Sequence, residues 1–157
     1  GSLSIQQDMP DFLPDRGEAG TVNVPGICGL AAGMTHIRHV GLKAIAAREE
    51  REAMRAAQGL AGLGLRVFTG PHQAGVLSFL PPDGDCETAA ERFAARGVAL
   101  RAGVHCAPTA HESAGTLETG TVRASFGPDA SPEQTRGFLQ TAAALWGGKT
   151  GQKVARM

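Results

Sequence analysis

The side chains best suited to chemistry lie between Val98 and Gly127, in the stretch VALRAGVHCAPTAHESAGTLETGTVRASFG. Cys106 sits outside any apolar period, directly after His105. Arg101 and Arg123 each interrupt a short apolar strand on either side of it. An arginine in such a place points to solvent or finds an anion, and its planar fork matches a carboxylate. Positive charge beside a thiol favours the thiolate, which is the nucleophilic form. The stretch therefore reads as a reactive thiol held beside an anionic small molecule. The blander alternative is an incidental loop thiol, with the arginines paired to a residue such as Glu118. His105, Cys106 and His111 offer metal-ligand atoms, with Glu112 or Glu118 as a fourth. Their spacing matches no standard site, and no metal is expected.

Composition limits the alternatives. The chain has 157 residues and is 42% hydrophobic, enough for one domain with its own core. Fifteen basic and fifteen acidic residues cancel, there is no tyrosine, and aromatics are scarce. Neither an electrostatic case nor a stacking platform for nucleic acid is present. No apolar run approaches the roughly 20 residues of a membrane-spanning helix, so no membrane association is expected and a cytoplasmic protein is the default. Cys28, Cys86 and Cys106 are odd in number and far apart. They read as free thiols, neither a disulfide framework nor a zinc site.

The elements that position the hairpin follow from period and punctuation. Residues 1–20 read as an extended arm arriving from a preceding domain. Asn23 and Pro25 open a helix over residues 21–40, with Ile27, Leu30, Ala31 and Met34 on one face and Cys28 a buried or half-buried thiol beside it. A second helix runs from Leu42 to about Leu63, with Leu42, Ile45, Ala53, Ala56, Ala57 and Leu60 on its apolar side. Its charge run REEREAMR reads as a solvated face. Strands are expected at residues 65–69, 75–80, 98–101 and 119–126, with a long loop over 102–118. His72 lies exposed between the first two strands. Asp85 caps a helix over residues 86–96 that buries Cys86. Ser131, Pro132 and Gln134 form a capping box for a last helix burying Phe138, Ala142, Leu145 and Trp146. Residues 148–157 read as a basic, frayed tail. GGKTG, which follows a helix, does not make a phosphate loop. The expected fold is α+β: a small, mostly antiparallel sheet of about four strands with helices on one face.

RAGVHCAP, followed by TLETGTVRASFG and the capped final helix, resembles the C-terminal part of cysteine desulfurases and selenocysteine lyases in the class V aminotransferase family. DRGEAGTVNVPGICGL is similar to the family's segment linking its large and small domains. The resemblance implies the small C-terminal domain of a fold-type I, pyridoxal-phosphate-dependent homodimer. It implies Cys106 as the nucleophile that takes sulfur from cysteine or selenium from selenocysteine, releasing alanine. Arg123 would hold the substrate carboxylate, Arg101 would be a second substrate-binding arginine, and Asn23 would help order the site.

The family's cofactor lysine lies upstream of everything in this sequence, and Lys43, Lys149 and Lys153 stand in unsuitable contexts. The chain thus reads as a C-terminal part that carries no cofactor-binding residues, binds no pyridoxal phosphate and lacks desulfurase activity alone. Self-association or a homodimer is expected, along with a possible sulfur-acceptor protein. Two alternatives stand beside this reading: a cofactor-free persulfide carrier or protein-binding module, and a class V aminotransferase-type lyase.

Overall fold

A computed structural model describes residues 8–17 and 20–147. Residues 1–7 and 18–19 of the expected arm, and the expected tail with most of GGKTG, lie outside the described residues. The chain divides into two compact units, Gly1–Gly41 and Leu42–Met157.

The first unit holds a 3-10 turn at Asp15–Gly17 and helix α1, Val24–Val40. The Asn23 side chain accepts a hydrogen bond from the Gly26 backbone N–H at 3.1 Å, satisfying an otherwise unpaired donor of the first turn. Gly41, at φ +91°, ends the helix where a side chain would be strained. Val24, Ile27, Leu30, Met34 and Ile37 are exposed, and so is Cys28, contrary to the expected half-buried thiol. These apolar residues recur at helical spacing, but no described residue of α1 is buried.

The second unit is the expected α+β domain. Its elements are α2 (Leu42–Gly62), β1 (Arg66–Phe68), β2 (Val76–Leu80), α3 (Cys86–Ala94), β3 (Arg101–Gly103), α4 (Pro108–Ala114), β4 (Thr121–Ser125) and α5 (Pro132–Trp146). The strands form one antiparallel sheet in the order β1-β2-β4-β3. Alternation decides which face is covered. Leu77 and Phe79 of β2 and Val122 and Ala124 of β4 point into one buried cluster. There they meet Ala56 and Leu60 of α2, Ala89 and Phe93 of α3, and Phe138 and Trp146 of α5. Phe93 stacks on Phe138 with ring centroids 5.4 Å apart, and Phe79 meets both edge-on, a favourable arrangement for aromatic quadrupoles.

Four expectations change. Glu52 is not on a solvated face: it is 2% exposed and accepts a hydrogen bond from Thr135 Oγ1 at 2.7 Å, which joins α2 to α5. The run of charges carried the helix but not the orientation of this member. Leu42, assigned to the buried stripe, is exposed in the first turn of α2. The loop over 102–118 contains helix α4, opened by Pro108 and closed by Gly115 in the left-handed conformation. Both end signals are visible in the letters, but seven residues are too few for a period to show. The third strand begins at Arg101, where the expected strand ends, so its pairing runs towards the thiol rather than away from it.

Candidate active site

β3 and β4 form the hairpin that carries the candidate site. Their register sets Arg101 opposite Arg123, Ala102 opposite Val122 and Gly103 opposite Thr121. Because Val122 and Ala124 point into the core, Arg123 points to the other face, level with Ser78 of β2. Like charges directly opposite across a ladder repel. Neither arginine makes an ion pair among the described residues, and the imagined Glu118 partner is not engaged. Arg123 is half-buried, and its Nε lies buried with no hydrogen-bond partner among the described residues. An anion seated between two such guanidinium groups would relieve the repulsion and the unmade bond together.

The hairpin packs tightly at the end where its connection joins the strands. A Cβ on Gly120 would lie 2.7 to 2.8 Å from the backbone of Gly103, and Gly120 sits at φ +64°. Only glycine lets β4 enter the ladder there. The chain then leaves β3 into a tight turn. The Ala107 N–H donates to the Val104 carbonyl at 2.9 Å, and the two central residues, His105 and Cys106, have φ of +51° and +58°. Positive φ at both centres with this closing bond is a type I′ turn, whose usual occupants are Asn and Gly. Here the candidate nucleophile and its histidine neighbour hold those places, and Cys106 is exposed.

His105 is anchored. Its Nε2 lies 3.1 Å from the Thr121 carbonyl oxygen, which can only accept, so Nε2 carries the proton and Nδ1 is the lone-pair nitrogen. Nδ1 is buried without a partner among the described residues. Burial holds the His105 pKa below its ordinary value, against the hydrogen bond to Thr121, and the charges of Arg123 and Arg101 act with burial. The ring is thus kept neutral.

His111 is buried one turn into α4, with Nδ1 2.8 Å from Thr116 Oγ1, and its ring centroid is 6.0 Å from that of His105. Arg66 Nη2 donates to the Ala114 carbonyl at 2.8 Å, so β1 holds the last turn of α4. These contacts commit His111 to the scaffold. Among the described residues no group of His, Cys, Asp and Glu is arranged to hold a metal.

The other thiols separate clearly. Cys86 is buried in the first turn of α3, and burial, with Asp85 and Asp83, pushes its pKa up, which suits an inert core thiol. Asn23 belongs to the first unit and its side chain caps α1. A cavity of about 570 Å³ between residues 97–100 and the start of α5 lies past the Ser125 end of β4, and Cys106 does not line it. The opposed arginines and the thiol turn, not that cavity, hold the reactive groups.

The aminotransferase class V model matches residues 2–138. The chain belongs to the aminotransferase class V family. Its similar relatives include cysteine desulfurases. The protein is 40% identical over 126 residues to a cysteine desulfurase of Synechococcus elongatus, covering 79% of this chain and 20% of that protein. It is 35% identical over 130 residues to a probable cysteine desulfurase of Pyrococcus abyssi, covering 80% of this chain and 32% of the relative. Among solved structures, the apo cysteine desulfurase of Thermococcus onnurineus superposes with a TM-score of 0.76 at 35% identity, over 86% of this chain and 34% of that one. The S-sulfonic acid form of the cysteine desulfurase CsdA of Escherichia coli gives 0.72 at 29% identity, over 83% and 32%. This class V chain spans between a fifth and about a third of the length of these relatives.

Cysteine desulfurases of this family use pyridoxal phosphate. Among the described residues the one lysine, Lys43, is exposed in the first turn of α2, and the stretch 98–127 contains none. Among the described residues no helix is long and apolar enough to cross a membrane.

Proposed function

We propose that this chain supplies the sulfur-accepting thiol and the carboxylate-binding arginines of a cysteine desulfurase-type enzyme. Cys106 takes the sulfur, forming a persulfide, and alanine is the co-product. Arg123, with Arg101 opposite it, holds the substrate carboxylate. The observation that carries the reading is the cross-strand pair of arginines, without an ion-pair partner among the described residues, on a hairpin whose connection presents a thiol in a type I′ turn. Arg123 supports the assignment further through its buried, unpartnered Nε, since a carboxylate accepts two parallel hydrogen bonds from one guanidinium. Asn23 acts by capping the first turn of α1.

Residues 1–20 serve as the arm joining a large domain, residues 21–147 are the small domain, and 148–157 are a basic extension. The cofactor belongs to the large domain, and the 157-residue chain alone binds no pyridoxal phosphate. The exposed apolar row of α1 supports association with that domain or with a second copy. Cysteine is the substrate, with selenocysteine as its heavier analogue, and the persulfide passes to an acceptor protein in the cytoplasm.

The absence of a lysine from the thiol hairpin favours one second reading, in which Cys106 carries a persulfide delivered by another protein. The deciding experiment measures alanine and sulfide released from cysteine by the full-length polypeptide and by its Cys106→Ser variant. Release that depends on Cys106 supports the desulfurase reading. Equal release from both removes Cys106 from the mechanism. No alanine from the full-length protein, with persulfide accepted from a donor, leaves the carrier.

A further inference from the structure

The thiol turn is strained by its own sequence. Left-handed φ at a residue with a Cβ is unfavourable by about 1–2 kcal/mol. Two such residues in succession persist only where neighbouring structure over-determines them. Among the described residues, the side-chain hydrogen bond that restrains the turn from outside its own backbone runs from His105 Nε2–H to the Thr121 carbonyl, 3.1 Å long. That carbonyl belongs to the first residue of β4, whose strand carries Arg123 two positions on. Gly120, immediately before it, is wedged against the Gly103 backbone, so the acceptor is itself fixed. Among the described residues the other ring nitrogen makes no bond, so Nε2 is the polar hold on the ring there.

We propose that His105 is a positioning residue, whose Nε2–H tether to β4 holds the left-handed turn and so presents the Cys106 thiol at a fixed place relative to Arg123. The inference rests on the reading of Cys106 as the sulfur acceptor. The neutral state of the ring belongs to the role. A protonated Nδ1 would bury a second donor without an acceptor, beside two guanidinium groups. The tether also explains why the turn has histidine where asparagine would relieve the backbone: asparagine tolerates positive φ better but cannot reach the Thr121 carbonyl.

Two substitutions separate the tether from backbone tolerance. The amide nitrogen of glutamine can stand where Nε2 stands, so H105Q keeps the tether. H105N keeps the left-handed tolerance and loses the reach. Each 157-residue chain is offered cysteine persulfide as the sulfur donor. Cys106 Sγ attacks the outer sulfur, a new S–S bond forms on the protein, the donor S–S bond breaks, and cysteine thiolate leaves. Persulfide on Cys106 is counted by peptide mass spectrometry against the exposed Cys28 as internal reference.

H105N should load Cys106 roughly fivefold more slowly than wild type, the change in competent population that one lost hydrogen bond produces, while H105Q stays within about twofold. Nitrogen-15 spectra of the wild-type imidazoles should show His105 as the Nε2–H tautomer, with Nδ1 bare. Loading by H105N at the wild-type rate, or a His105 protonated on Nδ1, overturns the tether. Failure of the desulfurase reading looks different: the full-length Cys106→Ser variant then still releases alanine, whatever the imidazole spectrum shows.

Discussion

Arg101 stands directly opposite Arg123 in the β3–β4 ladder, and neither has a carboxylate partner among the described residues. Such a pair opposes folding and favours ligand binding. Removing the exposed member, by Arg101→Gln, should therefore stabilise the ligand-free chain by about 0.2–1 kcal/mol at low ionic strength, read from urea denaturation. Carboxylates such as alanine should raise the melting temperature of the wild type and have no effect on Arg123→Gln. A carboxylate shift that survives in Arg123→Gln would place the anion elsewhere.

The thiol occupies a position where glycine is the preferred residue. Cys106 has φ +58°, so Cys106→Gly should stabilise the fold by about 1 kcal/mol even though the nucleophile is lost. Cys106→Ala keeps the Cβ and is the control, expected to match the wild type. A gain confined to the glycine variant identifies backbone strain. Equal midpoints for glycine and alanine variants would mean that the turn is not strained at this residue. A site that gains stability when its reactive group is removed is one in which function and folding make opposed demands.

How far the letters carried the structure depends on the kind of signal. Helix ends with a chemical mechanism were readable: Asn23, Asp85 and the Ser131–Gln134 capping box all make the hydrogen bonds their residue types suggest. The alternating strands were readable as well, because Leu77, Phe79, Val122 and Ala124 form a period of two. That Arg101 and Arg123 stand on the two strands of a hairpin, with Cys106 in its connection, was readable too. What could not be read is register and φ. One residue of slip would have put Arg101 opposite a core position instead of Arg123. Nothing in His105 or Cys106 announces a left-handed backbone, since both residue types are ordinary elsewhere. Glu52 was misjudged because a helical charge run says nothing about which member meets a hydroxyl from a helix 83 residues away.

That buried contact gives a stability test independent of the site. Thr135 Oγ1 donates to Glu52 Oε2 at 2.7 Å, and Arg55 Nε lies 3.5 Å from the same oxygen. Thr135→Val keeps the shape and deletes the donor, leaving a buried carboxyl oxygen short of a partner. The expected loss is about 1–3 kcal/mol in chemical denaturation. Thr135→Ser retains the hydroxyl and should lose less. If valine and serine variants unfold at the same denaturant concentration, the hydroxyl contributes nothing and the effect is one of packing alone.

His105 predicts a pH dependence whose sign follows from its environment. Burial, aided by the charges of Arg123, His111 and Arg101, lowers its folded pKa below the unfolded value near 6.5, and the hydrogen bond to Thr121 only partly opposes this. Between the two values the unfolded chain binds the proton and the folded chain does not, so stability rises with pH across that window. At neutral pH the ring is uncharged in both states and there is no penalty. As pH falls through 6.5 the penalty grows, and it levels off once the folded ring also protonates. Melting temperatures measured from pH 7.5 downward should fall for the wild type, and the part of that slope due to His105 should vanish in His105→Gln. The carboxylates contribute at lower pH, so the comparison between the two proteins, not either slope alone, carries the test. An unchanged slope in His105→Gln would mean that the folded ring titrates like a free imidazole, and that the Thr121 bond does not hold it in a desolvated place.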